Sequence, residues 1–219
     1  MILKILNDNQ PGKGYKNGWG LSIFIESGEK RILFDTGPEE SILKYNSEKL
    51  DVDLNSLDFI FISHNHWDHV GGAGAINNKN IRVYTPEISK DIENLGFKQI
   101  KLDTFYRISE YIYSTGSFKN GKIPEQSLII IENGKLFLFV GCSHPGIRNI
   151  VKFVFEKFGR IYYLIGGFHS PPISEIEDLI NFLDYISPCH CSGDETKNYF
   201  KKNYPERYIE IDTGKVLKF

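Results

Sequence analysis

Apolar runs divide the chain into short strands broken by turn residues, with a few longer stretches at helical spacing. Residues 2–6 read as a first strand, and a polar, glycine-bearing loop follows from Asn7 to Gly18. Leu21 to Glu26 and Arg31 to Phe34 are β-rich and split by Ser27-Gly28-Glu29, a hairpin signal. Asp35-Thr36-Gly37-Pro38 ends that pair, and a helix is predicted at about 39–50. A strand at 58–62, a short helix and a strand from Ile81 to Tyr84 complete the first half. In the second half, Ser127 to Glu132 and Lys135 to Gly141 flank Asn133-Gly134, a strong two-residue turn signal. A helix at about 147–158, a strand at 161–166, a helix at about 175–185 and a short strand leading to His190 follow. Ile209 to Asp212 and Lys215 to Lys218 read as a closing hairpin around Thr213-Gly214. Strands first and helices later in each half predict two β-rich layers faced by helices, an α/β (α+β) chain forming a single domain over 1–219.

Composition narrows the class. The 219 residues are 41% hydrophobic and 25% charged, ordinary for a globular enzyme, and 16 Phe with 12 Tyr supply a large core. The net charge is −2 and the basic residues are scattered, which argues against a nucleic-acid partner held by phosphates. Three cysteines, Cys142, Cys189 and Cys191, do not form a disulfide framework and are expected as reduced thiols in a cytoplasmic protein. Met1 to Asn7 lacks the layout of a signal peptide, and no run approaches the roughly 18 apolar residues of a membrane helix. The expected partner is a small molecule, with neither nucleic acid nor membrane; the oligomeric state stays open.

The chemistry concentrates in His64-Asn65-His66-Trp67-Asp68-His69, which holds three of the six histidines. The cluster follows the apolar run Phe59-Ile60-Phe61-Ile62 and precedes Gly71-Gly72. Imidazoles and a carboxylate at this density suit one or two divalent cations. The other histidines also follow strand ends: His144 after Phe139-Val140-Gly141-Cys142-Ser143, His169 after Ile165-Gly166-Gly167-Phe168, and His190 within Pro188-Cys189-His190-Cys191. Ligands gather beyond strand ends in open α/β sheets, so one shared site is the economical reading. A single histidine at a strand end is otherwise an ordinary hydrogen-bonded group, a reading that weighs most on His169.

With Asp35-Thr36-Gly37 upstream, His-x-His-x-Asp-His after an apolar strand resembles the metallo-β-lactamase-fold superfamily over nearly the whole chain. Gly141-Cys142-Ser143-His144-Pro145-Gly146, Gly166-Gly167-Phe168-His169 and Pro188-Cys189-His190-Cys191 are similar to one branch of it. That branch holds the archaeal dihydropterin-ribofuranosylaminobenzene phosphate synthases and bacterial proteins called only metal-dependent hydrolases. The resemblance implies a four-layer αββα sandwich with two divalent ions, Zn2+ foremost and Mn2+ or Fe2+ as alternatives. It places His64 and His66 on one ion, and Asp68, His69 and His190 on the other. Asp68 and His169 are the candidate catalytic groups, and Asp35 would orient a ligand. His169 would also serve as a substrate contact or as a group bonded to a ligand. The implied activity is hydrolysis of an ester, lactone or phosphoester by an activated water; the alternative is a pterin-transferring synthase.

The chain departs from the superfamily pattern in three places. Residues 115–126 lack the expected histidine, and Glu125 is the nearest candidate ligand. Cys142 stands where an aspartate usually bridges the ions, either as a bridging thiolate or as a packing residue, and His144 is expected to supply the missing imidazole. Trp19 stands where the branch often has histidine, and is expected to meet the substrate either as a polar contact or as an apolar wall. Cys189 and Cys191 are expected to pack. Pro145-Gly146-Ile147-Arg148 reads as a helix start whose N–H groups and Arg148 could hold a phosphate or carboxylate. Lys13, Lys16, Lys119 and Lys122 lie in polar loops. Two further classes remain: an iron redox protein, against which His66 stands where that branch carries glutamate, and a non-catalytic metal-binding or sensing protein.

Overall fold

The computed structural model describes residues 1–118 and 123–219, so Lys119 and Lys122 lie outside the described residues. The chain divides into two compact units, residues 1–103 with 212–219, and residues 104–211.

The first unit carries β1 (Ile2–Asn7), β2 (Ser22–Ser27), β3 (Lys30–Phe34), α1 (Glu40–Lys49), β4 (Phe59–Phe61), α2 (Trp67–Val70), β5 (Arg82–Thr85), α3 (Lys90–Asn94) and β6 (Gln99–Lys101). β1, β2 and β3 are antiparallel, whereas β3, β4, β5 and β6 run parallel. Gly28 takes the positive φ of 57° that the predicted turn between β2 and β3 requires. One face of the sheet packs Phe24, Leu33, Ile60 and Val83 against Leu43 of α1 and Ile92 of α3. The parallel register pairs Phe34 with Phe61 and Phe61 with Tyr84, so the loops leaving β3, β4 and β5 start at one sheet edge.

The second unit carries β7 (Tyr106–Ser109), β8 (Ile112–Ser114), β9 (Leu128–Glu132), β10 (Lys135–Val140), α4 (Ile147–Phe158), β11 (Ile161–Gly167), α5 (Ile173–Ile176), β12 (Leu183–Cys189) and α6 (Asp194–Asn203). Asn133 and Gly134 both have positive φ, 51° and 73°, as the predicted hairpin turn needs. β10, β11 and β12 are parallel, with Val140 beside Gly166 and Gly166 beside Pro188. The core packs Leu138, Val140, Leu164 and Ile186 against Ile150 and Val154 of α4 and Phe200 of α6.

Two expectations fail. The helix expected at about 175–185 stops at Ile176, and after a short 3-10 turn the chain enters β12 at Leu183. The apolar residues Leu183 and Ile186 pair with β11 instead of continuing a helical face. The closing hairpin does not form. The 207–209 segment hydrogen-bonds to Ile186 of β12, while Val216–Lys218, here β13, pairs antiparallel with β1. The edge of β1 extends a seven-stranded sheet, whereas an isolated two-strand ribbon is marginally stable.

Gly72 marks how tightly the site loops pack. A Cβ there would stand 2.0 Å from the Thr36 carbonyl oxygen, and the Gly72 N–H donates to the Gly37 carbonyl at 3.0 Å. Gly72→Ala is therefore expected to cost roughly 1–3 kcal/mol of stability. A lowered urea midpoint would show it; an unchanged midpoint would contradict this packing.

Candidate functional site

In the first unit the donors follow β3 and β4. Asp35 directly follows β3, is fully buried, and has a φ of 55°, a region that costs a non-glycine residue free energy. Its Oδ1 accepts from the Ser63 backbone N–H at 2.7 Å. Its Oδ2 accepts from the Ser63 hydroxyl at 2.7 Å and pairs with Nδ1 of His69 at 2.7 Å. A carboxylate only accepts, so His69 carries its proton on Nδ1 and leaves Nε2 for another role. The Ser63 hydroxyl has one proton, already given to Asp35. It therefore accepts from Nδ1 of His64, 3.0 Å away, and that sets Nε2 of His64 as the nitrogen facing His66. One carboxylate thus orients two imidazoles.

Nε2 of His64 and Nδ1 of His66 stand 3.1 Å apart. Two nitrogens bound at about 2.05 Å to one tetrahedral zinc would be about 3.3 Å apart, so the spacing fits a shared ion. Nε2 of His69 and Oδ2 of Asp68 stand 3.7 Å apart. The loop bearing Asp35 holds this segment in place: the His69 carbonyl accepts from the Thr36 N–H at 2.7 Å and from its hydroxyl at 3.1 Å.

The second unit repeats the device with a different carboxylate. Glu125 is fully buried. Its Oε1 accepts from the N–H groups of Cys142 and Ser143 at 2.9 and 2.7 Å. Its Oε2 accepts from the His144 N–H at 2.9 Å and faces Nδ1 of His144 at 2.7 Å. Both oxygens are thereby occupied, which corrects the expectation of Glu125 as a ligand. It fixes the loop after β10 and sets the proton of His144 on Nδ1. Nothing in the local sequence around Glu125 signals this, because its partners lie 17 to 19 residues further on.

Donor atoms of Cys142, His144 and His169 lie within 4.8 Å of one another, as do those of Cys142, His190 and Cys191. Ser143, His169 and His190 have φ of 62°, 58° and 49°. With Asp35, they are four of the seven non-glycine residues with positive φ among the described residues, and such residues concentrate at functional sites. Cys191 lies in one of these donor groups; its thiol is held well below the usual range by hydrogen bonding from Cys142 and from His169, with His190 adding charge. The His169 imidazole is pushed above its ordinary value chiefly by the hydrogen bond to Cys191. Cys189 is buried and joins no donor group among the described residues.

The remaining candidates differ. Arg148 is ion-paired with Asp178, so an anion at the start of α4 has to compete with that carboxylate. Trp19 is 57% exposed, and Trp67 inside the histidine motif is 61% exposed. Gly20, next to Trp19, leaves no room for a Cβ, which would lie 2.4 Å from the Asp68 carbonyl oxygen. Trp19 is thus anchored beside the histidine segment.

Residues 18–140 match the metallo-β-lactamase superfamily. The chain belongs to that superfamily and has its fold, two mixed β sheets with helices. It is 29% identical to the 7,8-dihydropterin-6-methyl-4-(β-D-ribofuranosyl)-aminobenzene-5′-phosphate synthase of Methanocaldococcus jannaschii, over 91% of this chain and 90% of the relative. It is 30% identical to an uncharacterized protein of the same archaeon, over 99% of both chains. In structure it is similar to Tm1679, described as a metal-dependent hydrolase of the β-lactamase superfamily, with a TM-score of 0.84 and 24% identity over 100% of this chain and 99% of the other. The chain is thus similar in sequence to a protein named a synthase and in fold to one described as a hydrolase. Among the described residues no helix is long and apolar enough to cross a membrane.

The two carboxylates carry a quantitative expectation. Asp35→Asn and Glu125→Gln should each weaken zinc binding about 10–100-fold, as the loss of a partner that orients a ligand does. Competition against a chromophoric chelator measures it. Asp58→Asn, which removes an exposed partner of Lys30, should change nothing. Full zinc affinity in both site variants would contradict the orienting role.

Proposed function

We propose that the chain is a metal-dependent hydrolase of a small molecule, acting on an ester, lactone or phosphoester. The observation that carries the reading is the pair of buried carboxylates, Asp35 on His69 and Glu125 on His144, each at 2.7 Å. A histidine serving only as a hydrogen-bonded structural group has no need of a buried acid that presents its far nitrogen. Carboxylate–histidine pairs of this kind are the usual support of a metal ligand.

The family resemblance and the donor chemistry within each unit support His64, His66, Asp68, His69, Cys142, His144 and His190 as ligands of two divalent ions, zinc foremost. Bound ions would supply an acidified water and positive charge for negative charge developing on oxygen. The protein's own groups do the rest. Asp35 and Glu125 keep the imidazoles in one tautomer. Asp68 sits beside Nε2 of His69, placed to take a proton or a ligand position. His169 is exposed, rests against the Cys191 thiol, and lies tilted against His144 with ring centroids 4.7 Å apart. In this reading it would exchange a proton with a substrate. Trp19 and Trp67 would give the substrate an apolar wall.

A second reading, pterin transfer with loss of diphosphate, draws on the named synthase relative. Turnover of ester, lactone and phosphodiester panels by zinc-loaded protein, abolished by chelation and restored by zinc, would support the hydrolase. A metal-loaded protein inert on all three panels but coupling a pterin methyl diphosphate to an aminobenzene ribofuranosyl phosphate, with release of diphosphate, would overturn it in favour of the synthase. Protein that binds no metal would overturn both.

Trp19 and Trp67 are the chain's only tryptophans, so its indole emission reports this wall alone. A bound substrate with an apolar ring should shift that emission, and Trp67→Ala should remove part of the shift. An emission unchanged at saturating substrate would contradict the wall.

A further inference from the structure

The second unit holds a soft donor that the family resemblance does not supply. Sγ of Cys142, a ring nitrogen of His190 and Sγ of Cys191 lie within 4.8 Å of one another, and all three side chains are buried. We propose that Cys191 is itself a metal ligand, so that Cys142, His190 and Cys191 form a thiolate-rich site that selects zinc over manganese or iron(II). The proposal rests on the metal-centre reading above and specifies the ion that centre takes.

The backbone is shaped for this cluster. Successive side chains on a strand point to opposite faces, so two sequence neighbours do not ordinarily serve one site. The φ of 49° at His190, directly after β12, breaks the extended run and lets both residues contribute. The neighbouring strand yields space. A Cβ on Gly167 of β11 would lie 2.6 Å from Sγ of Cys191 and 3.2 Å from Cδ2 of His190, so any larger residue would occupy the cluster's volume. Cys142 enters from β10, the strand on the other side of β11.

The spacing suits an ion. Two thiolates at about 2.3 Å from a tetrahedral zinc stand about 3.8 Å apart, so the groups need close by no more than about 1 Å. The chemistry suits it also. A packing cysteine sits among apolar groups, whereas Cys191 sits among a second thiol and two imidazoles, and its one hydrogen bond to a carbonyl, to that of Cys142, spans 3.9 Å. His169 bonds the same sulfur, the place of a residue that orients a ligand. Thiolates favour zinc over manganese, which prefers oxygen donors.

The test is cobalt(II) reconstitution of the metal-stripped full-length protein, read by cobalt content and by the near-ultraviolet thiolate-to-cobalt charge-transfer band. Wild type should show the band. Cys191→Ser should reduce it per bound cobalt to about half, the double Cys142→Ser/Cys191→Ser variant should abolish it, and Cys189→Ser should leave it intact. Cys191→Asp keeps a donor should Cys191→Ser fail to fold; it should bind cobalt with the weakened band and lose at least about tenfold in cadmium-over-manganese preference. A full band in whichever Cys191 variant folds would overturn the proposal and leave the metal-centre reading standing. Wild-type protein that binds no cobalt would overturn both.

Discussion

The structure depends on burying two carboxylates. An acid removed from water must have its acceptor sites filled, and leaving the matching donors unmet costs about 1–3 kcal/mol each. Asp35 accepts from the Ser63 N–H and hydroxyl and from His69, and Glu125 accepts from three successive N–H groups and His144. In both cases the same carboxylate ties down a loop's backbone and sets an imidazole's tautomer. Fold stability and the readiness of the donors are therefore one property. A substitution at either acid loosens the loop and misdirects the ring together.

Parallel strands make this possible. Within each unit the register brings successive strand ends to one edge, so short loops deliver side chains far apart in sequence to one neighbourhood. Strand ends also turn sharply. Asp35, Ser143, His169 and His190 hold positive φ where glycine would be easier, and each stands in a donor group or beside one. The surrounding hydrogen bonds, such as the Ser143 hydroxyl to the Gly167 carbonyl at 2.7 Å, hold those conformations.

Much of this was legible beforehand, and the gaps have physical causes. α4 fills the residues its apolar spacing predicts, because Ile147, Ile150, Val151 and Val154 repeat at helical intervals. The hairpin between β9 and β10 announces itself through Asn133-Gly134. α6 escaped the sequence reading because only Thr196 and Phe200 are buried in a decapeptide otherwise polar. β6, β7 and β8 escaped because they have three or four residues each and little alternation. The histidine motif and Asp35 were legible as candidates from their spacing, and the Asp35–His69 contact at 2.7 Å accords with an orienting part for Asp35. Glu125 was legible as a nearby acid but not as the holder of His144, since that depends on a loop 17 residues away folding back. Cys191 read as packing because two thiols around a histidine do not close a zinc site by themselves; the sulfur that lies near Cys191 and His190 is that of Cys142, 49 residues earlier.

The central claim is that Asp35 and Glu125 fix the proton of His69 and His144 on Nδ1, leaving Nε2 to bind metal. Long-range proton–nitrogen correlation spectra of the zinc-loaded, nitrogen-15-labelled protein read each ring directly. The account predicts a protonated Nδ1 and a metal-shifted Nε2 for both residues. Zinc on Nδ1 of either ring, or an Nε2 that carries its proton in the loaded protein, would contradict it.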